Sequence, residues 1–234
     1  MAENKSIISD IFYGVTHTIM KCTRCNFLKH NFELYFFLVF PLEEIRKYKL
    51  QQLINQNMNL SNQNMMYQNF DINQLFQQNL NKIQLLQNNK VNIFDCFDYN
   101  QKEENFCGEN AMYCNDCNMQ LPTIYQTLLY SAPEILILVL NRGAGIQFKI
   151  QIEFYEEINL SNYFHEKGPI IYDLISVVTH MGESGSNGHF IATCKSPIDN
   201  NWYQYNDDLV FKINNFKSQI LDYAMPYILF YQKR

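Results

Sequence analysis

The sequence predicts an antiparallel, β-rich α+β fold, and three observations carry that expectation. The C-terminal half is a series of short apolar segments separated by turn residues. Aromatic residues make up 15% of the 234 residues, with 16 Tyr and 18 Phe against only 8 Gly and 6 Pro. Large side chains of that kind pack well on a pleated surface. Helical periodicity is confined to a few short stretches.

Taken in chain order, Asn31–Phe40 (NFELYFFLVF) is dense in apolar residues and ends at Pro41, so it reads as one strand. Ile124–Tyr130 alternates in part, Pro133 interrupts, and Ile135–Leu140 (ILILVL) forms a short continuous apolar run expected of a buried central strand. Further strands are expected at Phe148–Phe154, Tyr172–Thr179, Phe190–Lys195, Trp202–Tyr205 and Pro226–Tyr231. Helices are expected at Asn92–Tyr99 and Ser218–Tyr223. Between Gln51 and Lys90 the composition changes: 21 of 40 residues are Asn or Gln. This low-complexity stretch reads as a surface insertion, since long loops add little closure entropy. Within it Ile72, Leu75, Phe76, Leu80 and Ile83 fall at helical spacing.

Composition also limits the function. Hydrophobic residues at 47% and charged residues at 18% describe a globular chain. The formal net charge is −5 and no block of like charge occurs, which argues against binding nucleic acid by phosphate neutralisation. The most apolar stretches, Tyr35–Val39 and Ile135–Leu140, fall far short of the roughly 20 residues of a spanning helix, so no membrane role is expected. The opening MAENKSIISDIFYG lacks the apolar core of a secretory leader. The seven cysteines therefore read as reduced thiols or metal ligands of a cytoplasmic or nuclear protein.

Four of those cysteines form two CxxC pairs, Cys22–Cys25 and Cys114–Cys117. A CxxC turn puts two sulfurs on one side of a knuckle, and two knuckles make a tetrahedral four-thiolate cage for one zinc ion. Such a cage has no open coordination position, so its role is structural. A redox CxxC would need a thioredoxin-like βαβ context, which the pattern lacks. The knuckles are separated by 88 residues, so the fold must bring the tips of distant strands together. Cys96 and Cys194 sit in apolar patterns and read as core; Cys107 carries no mark of activation.

A second constellation is a histidine with a polar partner. His189 follows the loop Gly182–Gly188 and starts one strand; Asn206-Asp207-Asp208 follow the next. If Ser196–Asp199 is a four-residue hairpin loop, Lys195 pairs with Asn200 and His189 faces Asn206. The Asn206 side chain can then orient the His189 ring, the base-plus-orienter half of a nucleophilic site. Strand alternation points Asp207 to the other face unless the strand bulges.

Together these pieces resemble the ubiquitin-specific proteases, a papain-like cysteine peptidase family. Phe12-Tyr-Gly14 leading to Cys22–Cys25 resembles the first zinc knuckle, and Cys107-Gly-Glu-Asn-Ala-Met-Tyr-Cys114-Asn-Asp-Cys117 the second. Pro133–Arg142 resembles the family strand "P.iLii.LkRF". Tyr172–Gly182 through Gly188-His189-Phe190 resembles "Y.L.avv.H.G…GHY", Trp202–Asp207 resembles "W..fnD", and Ala224–Tyr231 the closing "aYmLfY".

The resemblance implies a partial papain-like fold, with an antiparallel palm sheet and zinc-ribbon-like fingers. It implies that His189 is the general base, Asn206 the third triad member and Asp207 a supporting acid. Cys22, Cys25, Cys114 and Cys117 would hold the zinc of the fingers. Gly182, Gly185, Gly188 and Phe190 would lie over the extended C-terminal tail of ubiquitin, where close backbone approach suits glycine. On this basis residues 1–50 begin the fingers, 51–92 are the insertion, 93–130 complete the fingers, and 131–234 form the palm.

The sequence departs from the family pattern in one major respect. The nucleophile of the family stands in a "GNTCYMNS"-type box well before the first knuckle; only 21 residues precede Cys22 here, and none of the seven cysteines has that context. Most of the helical thumb is missing with it. Smaller departures are Gly143 in place of the Phe after Arg142, a shortened Gly143-Ala-Gly-Ile-Gln loop, and Phe190 in place of Tyr. The expectation is a deubiquitinase part acting on ubiquitin or ubiquitinated proteins, its thiol supplied by a separate Cys-box segment and the chain alone inactive. The alternative is an inactive ubiquitin-binding zinc scaffold.

Overall fold

The computed structural model describes residues 6–64, 90–143, 150–184, 187–221 and 225–234. The stretch at helical spacing, Ile72 to Ile83, lies outside those residues, as do Gly185, 144–147 of the shortened loop, and 222–223 of the expected C-terminal helix.

The chain opens with the short helix α1 (Ile7–Phe12), capped by Ser6, and then enters β1 (Gly14–Cys22) and β2 (Leu28–Tyr35). β3 (Leu38–Pro41) leads into α2 (Leu42–Asn64). After the insertion come β4 (Lys90–Asn92) and α3 (Ile93–Asn100). β5 (Glu104–Phe106), β6 (Met112–Cys114), β7 (Met119–Leu121) and β8 (Thr123–Ser131) complete one region. β9 (Ile135–Asn141), β10 (Gln151–Glu153), β11 (Glu157–Asn159), β12 (Ile171–Ser184), β13 (Asn187–Lys195), β14 (Trp202–Asn206), β15 (Leu209–Ile213) and β16 (Pro226–Lys233) follow.

The strands divide between two principal sheets. A four-stranded sheet of order β2-β1-β8-β5 carries the separate hairpin β6–β7 and corresponds to the fingers. An eight-stranded sheet of order β15-β14-β13-β12-β16-β9-β3, with β11 also paired to β12, corresponds to the palm. The β-rich α+β expectation is met. As expected, Ile135–Leu140 is an internal strand: β9 lies between β16 and β3, and Leu136, Leu138 and Leu140 are fully buried.

The apolar run Asn31–Phe40 is two strands in two sheets. β2 pairs with β1 in the fingers, whereas β3 pairs in parallel with β9 in the palm. Exposed Phe36 and Phe37, packed edge-on at 4.5 Å, mark the crossing. A uniformly apolar run has no periodicity break to announce such a crossing.

α2 was not foreseen and runs through the boundary at residue 50 into the Asn/Gln-rich stretch. Among the described residues its fully buried apolar side chains are Leu42 and Ile45 in the first turn, and half-buried Tyr48 meets Tyr99 of α3 at 5.6 Å. Leu42 and Ile45 meet Phe40, Val91, Ile93 and Phe97 on the inner face of the palm sheet. α3 matches its expected span: Asn92 is its N-cap, accepting from Phe94 N–H at 2.9 Å while Asp95 accepts from Asn92 N–H at 2.7 Å. Lys49 of α2 pairs with Asp95 at 2.5 Å, tying the two helices together. The expected Ser218–Tyr223 helix is a single π-type turn over Lys217–Leu221, with Ile220 buried. Among the described residues no helix is long and apolar enough to cross a membrane.

Candidate functional site

The two CxxC pairs converge at the tips of the fingers. Cys22 ends β1 and Cys114 ends β6; Cys25 and Cys117 lie in the turns that follow. One sulfur from each of the four lies within 4.8 Å of all the others, and Cys25 and Cys114 are 3.6 Å apart. Tetrahedral zinc–thiolate bonds of about 2.3 Å require sulfurs roughly 3.8 Å apart, so the cluster has the size of a metal cage. The 88-residue gap is bridged because β1 and β8 are neighbours, with Cys22 opposite Thr123. Thr23 fixes the junction: its N–H and its hydroxyl both donate to Pro122 O, at 3.1 and 2.8 Å.

Each knuckle turns on an asparagine that the motif reading overlooked. Asn26 follows Cys25 with φ 60° and Asn118 follows Cys117 with φ 51°. The short amide side chain tolerates this left-handed region, so the repeated Cys-x-x-Cys-Asn was a readable signal. The knuckle backbone also sets the thiol chemistry. Backbone N–H groups of Cys25 and Arg24 lower the Cys22 thiol to about 7. Cys117 is pushed up to about 12, first by its contact with Cys25 and then by desolvation and Cys114. A divalent cation at the centre of the four sulfurs would favour their thiolate forms.

The second site lies at one end of the palm. The loop between β13 and β14 is six residues, Ser196–Asn201, closed by Ser196 N–H to Asn201 O at 2.8 Å, with Asn200 at φ 56°. Lys195 therefore pairs with Trp202, two residues away from the expected partner. A shift of two preserves side-chain faces, because the strand period is two. His189 and Asn206 still share a face, but as diagonal neighbours. His189 Nε2 and Asn206 Oδ1 are 2.6 Å apart.

Asp207 joins them by a different route. It adopts φ 49° in the tight turn between β14 and β15, where Asn206 pairs with Leu209. That left-handed residue carries its carboxylate back to 3.7 Å from His189 Nε2, instead of across to the opposite face. Asn206 makes the hydrogen bond and Asp207 supplies charge nearby. Because an amide oxygen only accepts, the contact puts the proton on Nε2 and leaves the Nδ1 lone pair free.

The His189 ring is 45% exposed. Its face of the sheet continues the inner face that α2 and α3 cover elsewhere. Here Met181 opposite His189, Leu209 opposite Asn206 and Phe211 opposite Gln204 are about half exposed, at 56%, 56% and 49%. The other glycine-loop residues named by the sequence, Gly182, Gly188 and Phe190, adjoin His189 on β12 and β13. None of the seven cysteines hydrogen-bonds to His189 among the described residues. Cys194 lies on the opposite face and contacts Ser176 at 3.0 Å, and Cys96 is buried within α3.

The profile of the family described as ubiquitin carboxyl-terminal hydrolase matches residues 1–231. The chain belongs to the ubiquitin carboxyl-terminal hydrolase family.

Among curated members, ubiquitin carboxyl-terminal hydrolase 48 of Rattus norvegicus is 30% identical over 136 residues, which is 55% of this chain and 13% of that protein. Ubiquitin carboxyl-terminal hydrolase 17-like protein B of Mus musculus is 32% identical over 136 residues, 56% of this chain and 28% of that protein. The chain thus spans about an eighth to a quarter of these relatives. Among solved structures, a yeast SAGA DUB module with an Sgf73 mutant has a chain that superposes with a TM-score of 0.69 at 22% identity, covering 100% of this chain and 43% of that one. The SAGA Ubp8/Sgf11/Sus1/Sgf73 DUB module bound to ubiquitin aldehyde gives a TM-score of 0.67 at 21% identity, covering 100% and 44%. This hydrolase-family chain shares the fold of those proteins over its whole length.

Proposed function

We propose that this chain is the fingers-and-palm part of a cysteine-type deubiquitinase that hydrolyses isopeptide or peptide bonds at the C-terminus of ubiquitin. The observation that carries the reading is the 2.6 Å contact between His189 Nε2 and Asn206 Oδ1 on an exposed sheet end. With Nε2–H donating to Asn206, Nδ1 takes the proton of a cysteine thiol. The thiolate attacks the terminal carbonyl of ubiquitin, the C–N bond breaks, and the leaving amine takes the proton from the imidazolium. Water, deprotonated by the same nitrogen, then releases ubiquitin from the thioester. Asp207 steadies the transient imidazolium.

The thiol comes from a Cys-box segment outside these residues. Two observations support this: no cysteine here hydrogen-bonds to His189, and the apolar face around Met181, Leu209 and Phe211 is uncovered among the described residues. Phe190 and the loop glycines 182, 185 and 188 line the path of the ubiquitin tail. Cys22, Cys25, Cys114 and Cys117 hold one structural zinc ion, which takes no part in the chemistry. The partners are ubiquitin and ubiquitinated proteins, and the place of action is the cytoplasm or nucleus.

The same lack of a nearby thiol favours a second reading, an inactive ubiquitin-binding scaffold. An electrophilic probe, ubiquitin vinyl sulfone, separates the two. The expected result is no labelling of the chain alone, and labelling of an extended protein carrying an in-frame Cys box, abolished by His189→Ala. Labelling that survives His189→Ala would overturn the catalytic reading; an extended protein that stays unlabelled would leave the scaffold.

A further inference from the structure

The hydrogen bond between His189 and Asn206 is poorly supported by the strand that bears Asn206. Pairing of β13 with β14 ends at Ala192 opposite Tyr205, so His189 stands three residues beyond the last rung. Its backbone is held from the other side, by β12, through Met181. The register there is irregular. His180 pairs with Phe190 and Met181 with His189, but the next pair is Ser184 with Asn187, so β12 carries an extra residue. Such a slip re-aims the neighbouring side chains, and something must hold it in one geometry.

His180 occupies that place. Alternation puts His189 and Met181 on one face, and His180, Gly182, Gly188 and Phe190 on the other. The buried His180 ring lies along the strand pair over both glycines. A Cβ added at Gly188 would fall 2.2 Å from His180 Cε1 and 2.3 Å from its Nε2. One added at Gly182 would fall 3.0 Å from Cε1 and 2.6 Å from Asn187 O. The ring thus fills the space that the two missing side chains leave. Phe190 meets it edge-on at 4.8 Å, and Tyr227 in turn meets Phe190 at 5.4 Å.

We propose that His180 is a positioning residue: its ring, laid into the glycine bed formed by Gly182 and Gly188, fixes the slipped β12–β13 register and so aims His189 at Asn206. The assignment of His189 as the base rests on the deubiquitinase reading; the packing relationship does not. At Gly188 the ring is the nearest obstacle to a side chain, with Met181 O at 2.6 Å beside it, whereas at Gly182 the backbone O of Asn187 is nearer than the ring; the interlock thus couples the two glycines to His189 across the thickness of the sheet.

The test is nitrogen-15 NMR of the imidazoles in the isolated chain, which reads ring tautomer directly and needs no nucleophile. In the parent, His189 is expected to favour the Nε2–H form by about tenfold or more, as one good hydrogen bond dictates. His180→Ala is expected to lower that preference to the ratio of an unconstrained histidine side chain, as does Asn206→Ala, the control that removes the acceptor. His180→Phe, which keeps a flat ring over the glycines, retains the preference. Gly188→Ala is expected to lower it likewise, because the new methyl would displace the His180 ring. If His180→Ala does not fold, His180→Leu carries the same expectation. An unchanged tautomer ratio in the folded His180 variants, even with a lower melting temperature, would overturn the proposal and leave His180 a packing residue. That result stands apart from probe labelling, so failure of the catalytic reading and failure of this one are separately visible.

Discussion

His189 Nε2 lies 2.6 Å from Asn206 Oδ1, although the two residues are not partners in the sheet. The amide fixes the tautomer of the ring and holds its plane. Asn206→Ala in the thiol-bearing protein is therefore expected to lower kcat by on the order of 10²–10⁴, with KM little changed. Asn206→Asp, which keeps an acceptor in place, should retain most of the activity. Steady-state hydrolysis of a ubiquitin-amide reporter decides; a fall confined to KM would contradict the orienting role.

The four-thiol cluster makes a separate claim. Purified chain is expected to hold close to one equivalent of zinc, and less than about half an equivalent would contradict the assignment. Cys114→Ser, or a strong chelator, should disorder β6–β7 and the neighbouring ends of β1 and β8 while the palm stays folded. Amide hydrogen exchange mapped by segment reads both outcomes.

The six-residue loop between β13 and β14 is held by Asp199, which accepts from Asn201 Nδ2 and from the Tyr203 hydroxyl, both at 2.7 Å. Asn201, Tyr203 and Ser196 hold its carboxyl well below the usual carboxylate range. A depressed folded-state pKa means stabilisation that is complete above the unfolded value and is lost as pH falls toward the folded one. Asp199→Ala should lower the melting temperature at pH 7, and the gap from the parent should shrink steadily below about pH 4. A gap constant with pH would show that the charge is not what holds the loop.

Arg142 is a buried cation at the end of β9. Its Nε donates to Pro226 O at 2.8 Å and its Nη1 to Ile150 O, joining β9 to the start of β16. Desolvation lowers it to about 10, well above neutral pH, so it remains charged. Arg142→Met removes two charge-assisted bonds and is expected to cost about 3 kcal/mol in urea unfolding. Arg142→Lys should recover little, because a single ammonium cannot span the same two carbonyls.

Much of the palm was legible in the sequence because its strands are short, apolar and bounded by turn residues. Both thiol knuckles were legible because spacing alone determines what a CxxC turn can bind. The site pair His189–Asn206 was found through a hairpin whose loop length was misjudged by two residues; the error was harmless because an even shift leaves every side chain on its face. An odd one would have separated the pair. Asp207 was misdirected because its left-handed turn is a backbone property that alternation does not register. α2 was hidden for another reason: its fully buried apolar side chains among the described residues, Leu42 and Ile45, stand at its start, and much of the rest of its sequence is Asn/Gln-rich with no apolar stripe to announce a helix.

The parallel pairing of β3 with β9 also bears on how the protein is made. Leu38 faces Leu138, one hundred residues further on. At ordinary elongation speeds the ribosome needs roughly 5–20 s to cover that distance. During that interval β3, with Leu38 and Phe40 destined for full burial, has no palm strand to join. The fingers, whose strands β1 and β2 are neighbours in the chain, can begin to form at once. The nascent β3 is thus exposed to premature association throughout that interval, as is the other edge of β1, whose partner β8 lies still further along the chain, and chaperone dependence during synthesis should concentrate on these two strands.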